Sequence, residues 1–258
     1  MNLALVLSGG GIRGVAHLGV IKALEEEGIT FSIISGASAG SIVGALYSYG
    51  YSPDESLEII DKTNFFKFLR PALSLNGILK VEKMGEVIQK YLPEDSFEAL
   101  KIPLVVTAVD LNKGIPAYFE KGELVKPILA SCCIPVIFDP VTIGETHYID
   151  GGILDNLPVE PVLSRSDKVI ASHCNPIDDN YQLKNVKTLL ERTMLMAING
   201  NTKQSKLWCD LVIEPPALSK VGGFETNRVK EIFNVGYDYA KENMASYLNV
   251  LKQDPVGQ

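Results

Sequence analysis

The sequence contains neither a long apolar run nor a block of basic residues. No apolar stretch approaches the ~20 residues of a membrane-spanning helix, and the first apolar run follows no basic region and ends in glycines, so no signal peptide is predicted. Lys and Arg number 24 against 31 Asp and Glu, a net charge of −7 over 258 residues. This balance argues against nucleic acid as a partner, but it is compatible with a local patch that touches a membrane transiently. We expect a cytoplasmic protein that can be peripheral at the membrane.

Cysteine and histidine are also scarce, which limits disulfide and metal chemistry. The four cysteines form no C-x-x-C pair and no metal-ligand pattern with the three histidines. They are Cys132, Cys133, Cys174 and Cys209. Two adjacent cysteines rarely pair with each other, so we expect free, mostly buried thiols in a reducing compartment. Neither a metal ion nor a cofactor is predicted.

The composition is that of a globular protein, with 46% apolar and 21% charged residues. A buried strand is predicted over Leu3–Leu7, a helix over 15–27 that stops at Gly28, and a second strand over 31–35 that leads into another helix. This alternation is typical of a parallel sheet with helical crossovers, and so of an α/β fold. Further helices are predicted over 53–62, 81–91, 124–131, 186–207 and 227–251, and further strands over 103–109, 115–119, 146–149, 168–172 and 211–213. Because no repeat or low-complexity linker interrupts the chain, residues 1–258 are expected to form a single domain.

The segment Gly36-Ala37-Ser38-Ala39-Gly40 joins the second predicted strand to a helix. A G-x-S-x-G sequence in this context predicts a nucleophile elbow, in which the serine occupies a sharp, strained turn. Gly36 and Gly40 suit that turn because a side chain at either position would collide with the neighbouring strand or helix. The same pattern also occurs where a helix merely packs closely on a sheet. Ser38 is therefore a candidate nucleophile that needs partner residues.

A second glycine-rich loop, Gly9–Gly14, follows the first predicted strand and opens a helix. Its G-x-G-x-x-G spacing fits a dinucleotide-binding loop, but that motif requires an acidic residue at the end of the second strand. Here that strand ends in Ile34-Ser35-Gly36, without an acidic side chain. The alternative is an oxyanion hole, since a glycine-rich loop at the start of a helix offers free N–H groups to a developing negative charge. Its candidate residues are Gly9, Gly10, Gly11, Ile12, Arg13 and Gly14.

A serine nucleophile also needs a general base within hydrogen-bond reach. Among the histidines, His173 follows a predicted parallel strand, at the carboxyl edge of the sheet where the active sites of α/β proteins lie. It would complete the chain order Ser…Asp…His of the α/β-hydrolase triad. Asp150 is the other candidate, because it ends a predicted strand and is followed by Gly151 and Gly152. A carboxylate is a weak base toward a hydroxyl unless an enclosed, dry site raises its pKa. Both residues remain candidates for the general base at this point.

Four segments of the sequence, taken in order, resemble the conserved blocks of the patatin-like phospholipases, in their compact bacterial form. They are residues 9–14, 36–40, 130–135 and 150–152. The resemblance implies a three-layer α/β/α sandwich with a mostly parallel central sheet. It also implies a Ser38–Asp150 dyad without histidine and an oxyanion hole formed chiefly by the amides of Gly10, Gly11 and Ile12. Gly151 and Gly152 would support the site, and Ser131 would at most shape it.

The function expected from this resemblance is that of a serine acyl hydrolase, a phospholipase A or lipid acyl esterase that works through an acyl-enzyme. The substrate would be a lipid or another acyl ester, and the oligomeric state is not predicted. Two alternatives remain. One is an esterase with a Ser38–Asp150–His173 triad, and the other is a non-catalytic regulator that binds an acyl group or a partner on the same fold.

Residues 61–80 are the candidate for a lid or substrate entrance. Their run of aromatic and aliphatic side chains is too dense for one short helix to bury, and Lys67 and Arg70 would suit an anionic interface. The alternative is that this segment packs over the sheet as additional core.

Overall fold

The structure is a computed structural model that describes residues 1–63, 78–135, 138–223, 225 and 227–253. The strands are β1 (Leu3–Leu7), β2 (Ile33–Ala37), β3 (Leu104–Asp110), β4 (Ile115–Phe119), β5 (Val141–Ile143), β6 (Thr146–Asp150), β7 (Lys168–Ser172) and β8 (Leu211–Ile213). The helices are α1 (Ala16–Glu25), α2 (Ala39–Tyr49), α3 (Pro53–Thr63), α4 (Ile78–Tyr91), α5 (Val125–Ser131), α6 (Glu160–Leu163), α7 (Val186–Leu207) and α8 (Val229–Lys252). Most of the predicted lid, residues 64–77, lies outside the described residues.

The strands form one mixed sheet in the order β5-β6-β3-β2-β1-β7-β8, and β4 pairs with β3. The pairings among β1, β2, β3, β7 and β8 are parallel, as predicted from the alternation of strands and helices. The pairings that involve β4, β5 and β6 are antiparallel. Parallel strands at the centre need helical crossovers, which place helices against the faces of the sheet.

Both faces of the sheet are buried, which gives the molecule three layers. Along β1, Leu3, Leu5 and Leu7 belong to the large core that helices α1, α2 and α8 cover. Ala4 and Val6 point to the opposite face and belong to a smaller core. That second core is completed by Leu157 and Val159 from the segment before α6 and by Val162 within α6. Because side chains alternate along a strand, the continuous apolar run of β1 supplies both cores. The predicted α/β/α sandwich is confirmed.

Several element boundaries differ from the sequence-based prediction. The first helix begins with a 3₁₀ turn, Gly11–Val15, because the glycine loop must turn sharply before α1 starts at Ala16. Strand β2 extends to Ala37 rather than ending at Ser35, because its pairing with β3 continues to the position where Ala37 lies opposite Thr107. Strand β5, of three residues, and helix α6, of four, were not predicted.

Strand β3 determines where two of the candidate site residues meet. Its residues 104–107 pair with β2 and its residues 108–110 pair with β6, while β4 lies along its other edge. Ala37, the last residue of β2, is opposite Thr107, and Asp150, the last residue of β6, is opposite Ala108. The chain positions just after β2 and at the end of β6 therefore face each other across one junction in the sheet.

None of the helices in the described ranges combines the length and the apolarity that a membrane crossing requires. The four cysteines are free thiols, as predicted, with Cys132, Cys133 and Cys174 buried and Cys209 partly exposed. In the described part of the chain, no group of three or more His, Cys, Asp or Glu side chains could hold a metal ion.

Candidate active site

Ser38 occupies a strained turn between β2 and α2. Its backbone has φ +50° and ψ −122°, a conformation that non-glycine residues rarely adopt and that costs about 1–3 kcal/mol. Close packing holds the turn in place: a Cβ added at Gly36 would lie 2.6 Å from the carbonyl oxygen of Gly40, and one at Gly40 would overlap the backbone of Leu7. The structure therefore has the backbone of a nucleophile elbow, with the glycines at the positions where no side chain fits.

Hydrogen bonds from two other serines fix the elbow. The Ser38 N–H donates to Ser131 Oγ at 2.7 Å, and Ser131 Oγ donates to the Thr107 carbonyl at 2.6 Å. On the other side, Ser41 Oγ donates to the Ser38 carbonyl at 2.7 Å. All three serines are buried. Ser131, expected to shape the site at most, contacts the backbone of the candidate nucleophile directly.

Replacing Ser131 with alanine is expected to lower both stability and the rate of the chemical step. The variant leaves the buried Ser38 N–H and Thr107 carbonyl without a partner, which destabilises a protein by about 1–3 kcal/mol. A shift of the elbow by a fraction of an ångström should lower kcat by about 10- to 100-fold. Urea unfolding and steady-state kinetics would measure the two effects.

Ser35→Ala is the matched control, because Ser35 is a buried serine whose Oγ has no hydrogen-bond partner among the described residues. It should leave kcat unchanged. If Ser131→Ala and Ser35→Ala gave the same kcat, the Ser131 hydrogen bonds would not position the elbow.

Asp150 lies within hydrogen-bond distance of Ser38. Ser38 Oγ donates to Asp150 Oδ2 at 2.7 Å, and the Gly152 N–H donates to Asp150 Oδ1 at 2.8 Å. The two residues are 4% and 6% exposed, respectively. Burial raises the pKa of Asp150 to about 6, against the opposing effect of the two hydrogen bonds. The carboxylate is thus mostly ionised at neutral pH and more basic than an exposed aspartate, as a general base near a hydroxyl should be.

The glycine loop directs part of its backbone toward the cavity. The Gly9 N–H donates to the Asn156 carbonyl at 3.1 Å, and the Gly9 carbonyl accepts from Asn175 Nδ2 at 2.5 Å. The Ile12 N–H donates to the Gly223 carbonyl at 3.0 Å. The amides of Gly10 and Gly11 have no acceptor among the described residues, and both residues line the same cavity as Ser38.

Ile12 and Arg13, two further candidates for the oxyanion hole, have engaged backbone amides. A substrate oxygen at the Ile12 N–H would have to displace the Gly223 carbonyl, and the Arg13 N–H donates to the Gly10 carbonyl at 3.3 Å. The Arg13 side chain also lies against the loop, with its Nε 3.4 Å from the same Gly10 oxygen. Gly14 fits closely against Ala39, at the start of α2. These contacts join the glycine loop to the elbow.

The histidines lie apart from the Ser38–Asp150 pair. His17 is buried between the Ser8 carbonyl, 2.9 Å from its Nε2, and Ser172 Oγ, 2.7 Å from its Nδ1. Burial lowers the pKa of His17 to about 4, so this ring is neutral and joins the ends of β1 and β7. His173 Nδ1 is 2.7 Å from Glu214 Oε1, and no hydrogen bond within the described residues connects His173 to the pair.

The third histidine, His147, is exposed on β6, with its Nδ1 2.9 Å from Thr142 Oγ1. The geometry of the described residues therefore contains a direct serine–aspartate contact and does not contain the Ser38–Asp150–His173 arrangement.

A cavity of about 90 Å³ opens onto Ser38 and Asp150. Its floor consists of the dyad candidates and the glycine loop, and apolar side chains form its walls. These wall residues are Ile134, Ile153, Met194, Leu195 and Ile198. An apolar cavity with a few convergent polar groups is typical of a site for a small apolar ligand or a chain.

Several residues of the site carry no recognisable sequence signal. Asn156, Asn175 and Gly223 reach the glycine loop from three different parts of the chain, and each does so by hydrogen bonding to the backbone of the loop. Asn201 on α7 donates from its Nδ2 to the Gly152 carbonyl at 3.1 Å, which connects that helix to the segment after Asp150. Isolated asparagines outside any motif cannot be assigned such roles from sequence.

Fold and site together describe an α/β protein with a serine elbow, an adjacent buried carboxylate and a glycine loop. The sequence model of the patatin-like phospholipases matches residues 5–163, more than half of the chain, and the chain belongs to this family.

Individual relatives agree with this membership. The chain is 35% identical over 177 residues to an NTE family protein of Mycobacterium tuberculosis, which covers 67% of this chain and 49% of that protein. It is 27% identical over 288 aligned positions to lysophospholipase nte1 of Aspergillus terreus, which covers 98% of this chain and 18% of that protein. The crystal structure of VipD from Legionella pneumophila is similar in fold, with a TM-score of 0.55 at 15% identity over 95% of this chain and 66% of that one. The chain thus spans about half the length of the mycobacterial relative and about a fifth of the fungal one.

Proposed function

We propose that this protein is a serine acyl hydrolase that cleaves carboxylic esters of lipids through an acyl-enzyme. Ser38 is the nucleophile, Asp150 is the general base, and the amides of Gly10 and Gly11 form the oxyanion hole. The observation that carries the proposal is the 2.7 Å hydrogen bond from Ser38 Oγ to Asp150 Oδ2 beside an apolar cavity. Membership of the patatin-like phospholipase family supports a lipid ester as the substrate.

In the acylation step, Asp150 Oδ2 accepts the Ser38 hydroxyl proton while Oγ attacks the ester carbonyl carbon. Negative charge develops on the former carbonyl oxygen, and the Gly10 and Gly11 N–H groups donate to it. The tetrahedral intermediate collapses, the bond to the leaving alkoxide breaks, and the proton on Asp150 passes to that alkoxide. The acyl group remains on Ser38 as an ester.

Deacylation uses the same groups in the same order. Asp150, again ionised, accepts a proton from a water molecule, and the hydroxide attacks the acyl carbon of the Ser38 ester. The oxyanion again accepts hydrogen bonds from the amides of Gly10 and Gly11. When this intermediate collapses, Ser38 Oγ leaves and takes the proton from Asp150, and the carboxylic acid is released. The apolar wall formed largely by α7 suits the hydrocarbon part of the acyl group.

Labelling with a fluorophosphonate would test this function, with the modified peptide identified by mass spectrometry. We expect the label on Ser38, because attack on phosphorus uses the same nucleophile and base as attack on an ester. The labelling rate should rise with pH, reach half its maximum near pH 6 and level off above about pH 7, since burial raises the pKa of Asp150 to about 6 and only its ionised form accepts the proton. Labelling should be lost in Asp150→Asn and kept in His173→Gln.

Other results would support the alternatives. Loss of labelling in a folded His173→Gln variant would indicate a histidine base that the described geometry does not contain. No labelling of the wild type, with and without lipid vesicles, would instead favour the non-catalytic regulator.

A further inference from the structure

A second cavity, of about 460 Å³, lies beside the candidate active site. It is formed by the segment 178–184 before α7, by the first half of α7, and by the segment 219–223. The two cavities share four lining residues, Arg13, Glu191, Leu195 and Gly223. The shared lining shows that the two cavities adjoin each other.

The second cavity differs from the first in its charge. Four cationic side chains line it, Arg13, Lys184, Arg192 and Lys220, against two acidic ones, Asp178 and Glu191. This excess of positive charge occurs in a chain whose net charge is −7. A cavity lined mainly by one sign of charge concentrates the field and attracts a ligand of the opposite sign.

Both acidic residues already interact with other groups of the protein. Asp178 Oδ1 accepts the Asn180 N–H at 2.8 Å. The pKa of Arg13 is lowered by burial, and the negative charge of Glu191 opposes that shift, so Glu191 acts on Arg13. Lys184 and Lys220 are exposed at the cavity and form no ion pair with other described residues. With both acidic residues counted, the lining keeps a net excess of two positive charges, and Lys184, Arg192 and Lys220 are its cations outside the glycine loop.

Arg192 is held in a fixed orientation. Its Nη1 donates to the Asp178 carbonyl at 2.8 Å, and its guanidinium carbon lies 5.0 Å from the centroid of the Tyr181 ring. A guanidinium carries five N–H donors, and the contact to Asp178 uses one of them. The remaining donors of a guanidinium held over an aromatic ring match the oxygens of a phosphate, which arginine binds in a bidentate manner.

We propose that this second cavity binds the phosphate of a phospholipid or lysophospholipid substrate, with Arg192 and Lys220 as specificity-determining residues, while the acyl ester lies at Ser38. The proposal rests on the hydrolase function proposed above and names the substrate class of that site. The ligand chemistry is a phosphate anion. The volume suits a phosphate with a small head group, since pockets for small molecules span about 300–1,000 Å³.

A pair of substrates with the same acyl chain separates phosphate recognition from ester chemistry. We would measure hydrolysis of 1-octanoyl-lysophosphatidylglycerol and of 1-octanoylglycerol, both below their micellar concentrations, by wild type and by Arg192→Gln and Lys220→Gln. For the phosphate-bearing ester, KM should rise by about 10-fold or more in each variant, as expected for a lost charge-assisted bond. For the neutral ester, kcat and KM should stay within about twofold. Lys203→Gln is the matched control, because Lys203 is exposed on α7 and does not line the cavity.

Equal loss on both esters, or no change on either, would overturn the proposal. Calorimetric titration of wild type and Arg192→Gln with inorganic phosphate distinguishes the possible sources of the anion. Phosphate binding that requires Arg192, without discrimination between the two esters, would indicate a free-phosphate site and overturn the assignment to substrate. If neither ester is cleaved and Ser38 is not labelled by a fluorophosphonate, the hydrolase function itself fails. In that case, binding of the intact lysophospholipid to wild type but not to Arg192→Gln would still support the phosphate site, and equal binding to both would overturn it.

Discussion

Asp150→Asn is expected to slow ester hydrolysis severely and, at pH 8, to make the folded protein more stable than wild type. Loss of a general base lowers rates by about 10²- to 10⁴-fold, so kcat should fall at least that far. The amide still accepts the Gly152 N–H through its oxygen, as the Oδ1 of Asp150 does. The variant should therefore remain folded, with the elbow intact.

The stability gain follows from the raised pKa of Asp150. Folding disfavours the charged form of this buried carboxyl, whose pKa rises from 3.8 to about 6. A shift of about 2 pH units corresponds to about 3 kcal/mol. For an acid with a raised pKa, the destabilisation is present above the folded-state pKa, declines as pH falls from about 6 to about 4, and is absent below that range. Asp150→Asn removes this destabilisation. Urea unfolding should therefore show a higher free energy of unfolding than wild type at pH 8 and an equal one at pH 4.

Asp155→Asn is the control for the activity effect. Burial also raises the pKa of Asp155 to about 6, but this carboxylate accepts its hydrogen bond from Tyr118 rather than from Ser38. We expect this variant, like Asp150→Asn, to be more stable than wild type at pH 8 and not at pH 4. It should keep the activity of wild type. An Asp150→Asn protein that retained kcat, or one that was less stable than wild type at pH 8, would contradict the assignment of Asp150 as a desolvated base.

Gly11→Ala is expected to lower kcat by about 10²- to 10³-fold with little change in KM, the loss typical of a damaged oxyanion hole. Gly11 has φ +59°, and a Cβ there would lie 2.5 Å from the Gly223 carbonyl oxygen. That oxygen accepts the Ile12 N–H, so the loop must shift and move the Gly10 and Gly11 amides. Steady-state kinetics on a soluble ester would measure the effect.

Gly28→Ala separates this effect from the conformational penalty of alanine. Gly28 also has a positive φ, +74°, but a Cβ there meets nothing within 4 Å. Both variants should be destabilised by about 1–2 kcal/mol through the left-handed backbone, and only Gly11→Ala should lose activity. Equal kcat values for the two variants would show that the Gly11 region of the loop does not stabilise the transition state.

The family and the fold could be predicted from the sequence because their signals are local. The apolar run of β1 predicted a strand buried on both faces, which is confirmed. The alternation of strands and helices predicted parallel pairing, which holds for β1, β2, β3, β7 and β8. Ser38 was recognisable because a strand, five small residues and a helix follow one another directly. The roles of Ser38, Asp150 and the glycine loop in catalysis stay predictions, now with a geometry that supports them.

Residue types and spacing left two candidate bases for Ser38, Asp150 and His173. The family resemblance favoured Asp150, and the tertiary structure decided which of the two is close. The deciding factor is the register of β3, which pairs with β2 up to Thr107 and with β6 from Ala108 onward, so that two residues 112 positions apart come within hydrogen-bond distance. His173 follows a parallel strand, as predicted, but that strand, β7, is separated from β2 by β1, and the His173 ring pairs with Glu214.

Which amides of the glycine loop face the cavity was likewise decided only by distant segments. The Ile12 N–H is occupied because Gly223, more than 200 residues later, packs against the loop. The apolar wall and the cationic cavity both depend on where α7 lies. A sequence thus determines its elements through local propensity and hydrophobic pattern. Strand register and helix placement depend on contacts between residues far apart in the chain, which a single sequence does not reveal.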